Sequence, residues 1–360
     1  MRGRVHLLLA LVCVLAVPAG AQPYHEIFNA TKAVGRFGDA PATLYLAPSP
    51  YISDGLVEFI RGATSTLDVC VFEVNLPKVM DALLDARERK VTVRVAVPPS
   101  ARPTEYEAEL YEQFRSLERR KMLRYTQNKS GLMHNKFMVA DGLRIWTGSY
   151  NFTRNDTEYN DNNALTFASP ELAANYTAEF EEIWAGVHGK RNATPTPHPV
   201  VHMGATTIRN LFAPEDDLEG AIVEEVLKAT NNVYMMAFAF TDVAIFNALS
   251  NRVVNGVKVY TLFEQSLARQ RSSRLKDLRE IGATVRISPN NGQMHHKVIV
   301  VDDNVVITGS ANFSASALKV NDENLLIFNS RDLARAMTRE FTRCWQAQPY
   351  IWNKWSQKVR

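Results

Sequence analysis

Apolar positions in this chain fall into two alternating kinds of stretch. Short, nearly continuous apolar runs, such as LDVCVFEV from Leu67, VTVRVAV from Val91 and VYMMAFAF from Val233, read as buried strands. The segments that close at Trp184 and at Trp345 instead space their apolar residues at three and four positions, the period of an amphipathic helix. The alternation runs through the chain twice. From Met133 to Trp184 and from Met294 to Trp345 the two copies keep a constant offset of 161 without a gap. Leu172, Ala173, Thr177, Glu179, Phe180 and Trp184 recur as Leu333, Ala334, Thr338, Glu340, Phe341 and Trp345. Upstream the offset becomes 166: the segment Leu56 to Val74 matches Ile222 to Phe240, Pro48 matches Pro214, and KVTVRVAV matches GVKVYTLF.

Each copy predicts the same order: strand, helix, buried strand, helix, buried strand, basic helix, a strand pair, and a closing helix. Helices alternating with apolar strands predict an α/β fold, here two related domains, each a mixed sheet flanked by helices. The Pro-, Thr- and His-rich stretch over 186–206 reads as the linker between domains over 22–185 and 207–360. A duplication of this size predicts pseudo-twofold packing, like an isologous dimer fused into one chain.

The strand pair carries the chemistry. MHNKFMVADGLRIWTGSYNF starts at Met133, and MHHKVIVVDDNVVITGSANF starts at Met294. Both show H-x-K, four residues, D, six residues, G-S-x-N. The positions are His134, Lys136, Asp141, Gly148, Ser149 and Asn151, then His295, Lys297, Asp302, Gly309, Ser310 and Asn312. Residues two apart on a strand share a face, so each copy presents an imidazole and an ammonium together. Two copies brought together hold two His, two Lys and two Asn, a set suited to a phosphoryl group. One His can attack phosphorus and the other protonate the leaving oxygen. Lys and Asn donors would stabilise the transition-state charge, with no metal or other cofactor called for. A lone H-x-K would read as a core His beside a solvated Lys; the doubled spacing argues against that.

The doubled motif resembles that of the phospholipase D superfamily, a set of phosphodiesterases that includes phospholipases, nucleases and transphosphatidylases. The resemblance covers both halves. It implies a two-domain fold with the motifs meeting at the interface, one site per chain, and no obligate protein partner. It implies that the motif acids Asp141 and Asp302 tie a turn rather than react. It also draws attention to NDENLL after the second motif. Small bacterial nucleases of the superfamily have a similar segment, whose carboxylate bonds the motif His. Glu323 is thereby expected to pair with His295, while Asn162 fills the corresponding place in the first copy. The expected roles are nucleophile for His134, following the superfamily, and general acid for His295, held as imidazolium by Glu323. The expected site is therefore His134, Lys136, Asn151, His295, Lys297, Asn312 and Glu323.

The remaining features bear on location and substrate. Arg2 and Arg4, the run LLLALVCVLAV and Ala19-Gly20-Ala21 read as a cleaved signal peptide over 1–21. The expected location is secreted or periplasmic. Asn151 and Asn312 both match the glycosylation acceptor pattern, which favours a bacterial export route. No other stretch is apolar and long enough to span a bilayer. The formal net charge is +3, and the leader holds two of those charges, so global charge announces no polyanion partner. Cys70 and Cys344 read as buried thiols.

Two basic runs precede the motifs: Arg115, Arg119, Arg120, Lys121, Arg124 and Lys129, then Arg269, Arg271, Arg274, Lys276, Arg279 and Arg286. They suit a phosphate backbone, an anionic lipid surface, or simply a solvated helix face. Nucleic acid is the first expectation for the substrate. Phospholipid headgroups are the alternative, with peripheral membrane contact through Tyr24 to Tyr51 or the tail YIWNKWSQKVR. A non-enzymatic binding module comes third, because both motifs are intact.

Overall fold

The computed structural model describes residues 32–189 and 195–347; the expected leader and the Trp-bearing tail lie outside them. The first half runs β1 (Lys32–Phe37), β2 (Ala40–Ala47), α1 (Pro50–Arg61), β3 (Thr66–Val71), α2 (Pro77–Glu88), β4 (Thr92–Val97), α3 (Ala108–Arg119) and β5 (Leu123–Tyr125). It continues with β6 (Lys136–Ala140), β7 (Arg144–Gly148), α4 (Arg154–Glu158), β8 (Asn162–Ala168) and α5 (Pro170–Ala185). The second half repeats the plan with β9 (Val200–Met203), β10 (Thr206–Ala213), α6 (Leu218–Leu227), β11 (Asn232–Ala237), α7 (Val243–Val254), β12 (Lys258–Phe263), α8 (Gln265–Ala268) and α9 (Leu275–Glu280). It ends with β13 (Thr284–Ile287), β14 (Lys297–Val301), β15 (Val305–Gly309), α10 (Ala315–Lys319), β16 (Glu323–Asn329) and α11 (Arg331–Gln346).

Each half builds an eight-stranded mixed sheet, in the orders β1-β2-β8-β7-β6-β3-β4-β5 and β13-β12-β11-β14-β15-β16-β10-β9. β3, β4 and β5 run parallel, as do β11, β12 and β13, joined by helical crossovers, and the other pairs are antiparallel. Helix boundaries follow from local chemistry. Ser169 and Ser330 accept the N–H groups of Leu172 and Leu333 to cap α5 and α11, and Pro170 sits in the first turn of α5. Gly186, at φ 81°, ends α5 in the left-handed region that glycine adopts freely.

Three apolar clusters hold the layers. One packs the outer face of the first sheet under α1, α2 and α3, and a second does the same for the other sheet under α6, α7 and α9. The third lies between the sheets and takes residues from both, together with α5 and α11. There Phe37 stacks on Phe328 at 5.4 Å, and Tyr176 meets Phe212 edge-on at 5.2 Å, so the two halves share a core.

Three details depart from the sequence pattern. β8 and β16 follow the motifs, where the pattern predicts the closing helix directly. The second basic helix is broken into α8 and α9. The stretch expected as a bare linker carries β9, which pairs with β10 at the sheet edge.

Candidate active site

Each motif strand begins beside the start of the other half's β16 or β8, across the interface. His134 donates its backbone N–H to the Asp322 carbonyl at 3.0 Å, and Asp322 returns a bond to Leu132 at 2.9 Å. On the pseudo-twofold partner, His295 donates to the Asp161 carbonyl at 2.9 Å and Asp161 to Gln293 at 2.8 Å. Each motif His is thus pinned by main chain of the opposite half. Phe72 and Phe238 lie edge-on to His134 and His295, both at 4.8 Å between centroids. The ammonium of Lys136 donates to the His134 carbonyl at 2.7 Å and lies over the Phe72 ring. Lys297 does the same with the His295 carbonyl, at 2.8 Å, and Phe238. Both motif histidines are buried, each only 7% exposed.

The expected pairing of Glu323 with His295 does not occur. Glu323 reaches across the interface, and both carboxylate oxygens lie 2.8 Å from His134 Nδ1. Ser310 and Asn321 of its own half donate to the same carboxylate at 2.6 and 3.1 Å. His295 Nδ1 donates instead to the Asn162 amide oxygen, at 2.8 Å, which also accepts from Ser149. The reason is geometric: β8 and β16 start where the opposite half's motif strand begins, so each supplies the partner for the other half's His. His134 is therefore the His with the carboxylate, and the expected electrostatic asymmetry is reversed.

The strand ends that make this possible need glycine. A Cβ on Gly148 would lie 2.4 Å from the Asn163 carbonyl oxygen, and one on Gly309 2.2 Å from that of Asn324. Asn151 and Asn312 follow these glycines, and the amide oxygen of each is buried without a hydrogen-bond partner among the described residues. Asp141 and Asp302 stand at the far ends of their strands. Each accepts three successive backbone N–H groups, those of Thr64, Ser65 and Thr66 or of Thr230, Asn231 and Asn232. That is the structural tie expected of them.

Burial dominates the electrostatics. Burial lowers the pKa of His134; Glu323 raises it and Lys136 lowers it further. His295 is held well below the usual range by burial, then by Lys297, Lys136, His134 and His296. Lys136 is brought down to about 8, mainly by burial, with Glu323, Asp156 and Glu73 opposing. Lys297 is lowered still further, by burial and by Lys136. A site this crowded with cations favours a bound anion.

Sequence reasoning missed four residues here. Phe72 and Phe238 back the imidazoles, and Glu73 bears on Lys136. Asp156, on α4, lies 3.7 Å from His295 Nδ1. Asp156 could have been found by lining up the repeats, because Ala317 occupies the equivalent place.

Other sequence candidates are spent elsewhere. Among the basic residues, Arg119 and Arg120 face Glu112 and Glu88, and Arg274 and Lys276 face Asp277 and Glu280. Arg124 and Arg286 donate to the carbonyls of Trp184 and Trp345. Cys70 and Cys344 are free, buried thiols. His296, Glu340 and Cys344 bring potential metal-ligand atoms within 4.8 Å of one another. Arg343 donates to Glu340 there at 2.7 Å, so a guanidinium already answers the carboxylate in a buried network.

A family model described as cardiolipin synthase, PLD-like domain matches residues 56–184 and again residues 222–345. The chain belongs to the phospholipase D superfamily. It is 34% identical over 145 residues to a Rickettsia prowazekii protein named phospholipase D, covering 40% of this chain and 71% of the relative. It is 34% identical over 121 residues to a Xenopus tropicalis protein named mitochondrial cardiolipin hydrolase, covering 34% of this chain and 58% of that one. The crystal structure of a Haemophilus influenzae phosphatidylserine synthase superposes over 83% of this chain and 86% of its own. The TM-score is 0.62 at 13% identity, a likeness of fold. The chain is a phosphodiesterase of that superfamily.

Proposed function

We propose that this phosphodiesterase cleaves single-stranded nucleic acid, without a metal, through a phosphohistidine on His134. Glu323 accepts the Nδ1 proton and so presents the Nε2 lone pair of His134 to phosphorus. As the N–P bond forms, the P–O bond to the leaving group breaks, and His295 gives the leaving oxygen its proton. Water then attacks phosphorus, His295 takes up the water proton, and His134 is released. Lys136, Lys297, Asn151 and Asn312 are assigned to the non-bridging oxygens, where charge grows in the transition state. The role of His134 is the one expected from sequence, but the argument changes: its carboxylate stabilises the phosphoimidazolium, where the sequence reading had used it to hold the acid.

What surrounds the site supports nucleic acid. The segment between β12 and α9 is tied at both ends to the strand end that carries Phe238, through Glu264 to Ala237 and Arg274 to Phe240. It exposes Arg269 and Arg271 beside the His295 half. Tyr159 is half exposed two residues before Asp161, and Tyr51 is exposed two residues after Ser49, whose N–H bonds Thr157. Among the described residues no Phe or Trp is strongly exposed, the aromatic anchor a lipid surface would favour. Exposed arginines with tyrosines suit a phosphate backbone and stacked bases.

Phospholipid is the second reading, favoured by the names of the relatives. The test is parallel hydrolysis of single-stranded DNA, RNA and phosphatidylcholine or cardiolipin vesicles in excess EDTA. Cleavage of nucleic acid alone, lost in His134→Ala and His295→Ala, is the expected result. Headgroup release alone would replace the nuclease reading, and EDTA-sensitive activity would overturn the metal-free mechanism. We further propose that the protein acts outside the cytoplasm, tested by finding a mature N-terminus near Gln22 in the exported fraction.

A further inference from the structure

The two halves differ at two linked places. At the start of β16 stands Glu323, and at the start of β8 stands Asn162; on α10 stands Ala317, and on α4 stands Asp156. Each half therefore contributes one carboxylate near the other half's motif His, from a different position. The supporting amide moves with it. Asn321 donates to Glu323 at 3.1 Å, and Asn160, its counterpart at the 161 offset, donates to Asp156 at 2.6 Å. Asp156 is buried, accepts the Asn151 N–H at 2.8 Å, and has its Oδ2 3.7 Å from His295 Nδ1. Asn162 lies closer, at 2.8 Å, and orients the ring, but it is neutral.

We propose that Asp156 is the charge partner of His295: a positioning carboxylate, displaced from β8 to α4, that favours the protonated imidazole needed at the leaving oxygen. The inference rests on His295 being the general acid. Besides burial, the groups that bear most on His295 are cationic: Lys297 on its own strand, Lys136 and His134 from the other half, and His296 beside it. Phe238 covers the ring's side and Asn162 its Nδ1 edge, and neither carries charge. The Asp156 carboxylate, 3.7 Å from Nδ1, is the acidic group placed to oppose them. Asp156, together with the incoming phosphodiester, supplies the opposing charge.

The experiment compares wild type, Asp156→Asn, His295→Ala and the double variant Asp156→Ala/Asn162→Glu, which returns the carboxylate to the place it has in the other half. Two simple diesters are used, a methyl p-nitrophenyl phosphate and a dialkyl phosphate, so the result does not depend on nucleic acid or lipid. Loss of a general acid should slow alkoxide release by about 100-fold and p-nitrophenolate release by only about 3-fold. Asp156→Asn is expected to show that split, with the alkaline limb of its kcat profile moved to lower pH, and the double variant to recover alkoxide release. Equal loss on both diesters with an unmoved pH profile would make Asp156 a purely structural cap of Asn151 and overturn the proposal. Equal loss in His295→Ala would instead overturn the acid assignment itself.

Discussion

Glu323 lies eleven residues past Asn312 in its own half, yet its carboxylate bonds His134 of the other. The residue types of the site were legible in the sequence because two copies of one spacing are hard to obtain by chance. The pairing was not, because nothing local says that β16 opens against the opposite motif strand. Asp156 was hidden for a related reason: it belongs to no motif, and lining up the repeats marks it only as a difference from Ala317 until its distance to His295 gives it meaning. The corrected pairing makes a pH prediction. His134 must be neutral to attack, so activity falls as pH drops through its pKa. Glu323 raises that pKa, so Glu323→Gln should move the acid limb of kcat/KM to lower pH while lowering the plateau by about 100-fold. An unmoved limb would mean that His134 is not the nucleophile. On the opposite limb, where His295 as the proposed general acid must stay protonated, Lys136 adds a second group. Its pKa of about 8 means that the free enzyme loses a site cation as pH rises through that value, so kcat/KM should decline there. Bound phosphate stabilises the ammonium, so the kcat limb should lie higher, and stopped-flow kinetics across that range can separate the two.

At the scale of elements, periodicity found the buried strands and the closing helices but passed over β5, β13, β8 and β16. β5 and β13 are three- and four-residue edge strands with no fully buried residue, too short and too exposed to show a period. β8 and β16 start with buried polar residues that read as loop: Asn162 and Glu323 bond the motif histidines, and Asn163 and Asn324 bond Thr308 and Asn135 across the interface. The glycines opposite them explain a further sensitivity. Gly309→Ala would push a methyl against the Asn324 carbonyl, next to Glu323, and should cost about 2 kcal/mol of stability together with most of the activity. Urea unfolding beside an activity assay checks both. The turn acids behave differently. Asp141 is held down to about 2 by its backbone donors, so its contribution to stability is present above the ordinary carboxylate pKa and is lost as pH falls through about 2. Asp141→Ala should lower the thermal midpoint, with the deficit against wild type shrinking in strong acid, and should leave kcat per folded molecule near wild type.

At the scale of the whole molecule, the duplication was the most legible feature, and the shared core explains why it matters. Phe37, Tyr176, Phe212 and Phe328 tie the two sheets into one interior, and the bonds from His134 to Asp322 and from His295 to Asp161 cross the same interface. The carboxylate that orients His134 lies in one half and the ring in the other, so neither half alone holds the pair. A single chain contains both. This argues that the working unit is one chain, and it can be tested without dissecting the protein. A mixture of His134→Ala and His295→Ala chains should remain inactive after co-incubation, because each molecule has one disabled site and nothing to exchange. Activity returning with time, or on co-expression, would mean that the halves swap between chains and that the interfacial core is weaker than its burial of large aromatic side chains implies.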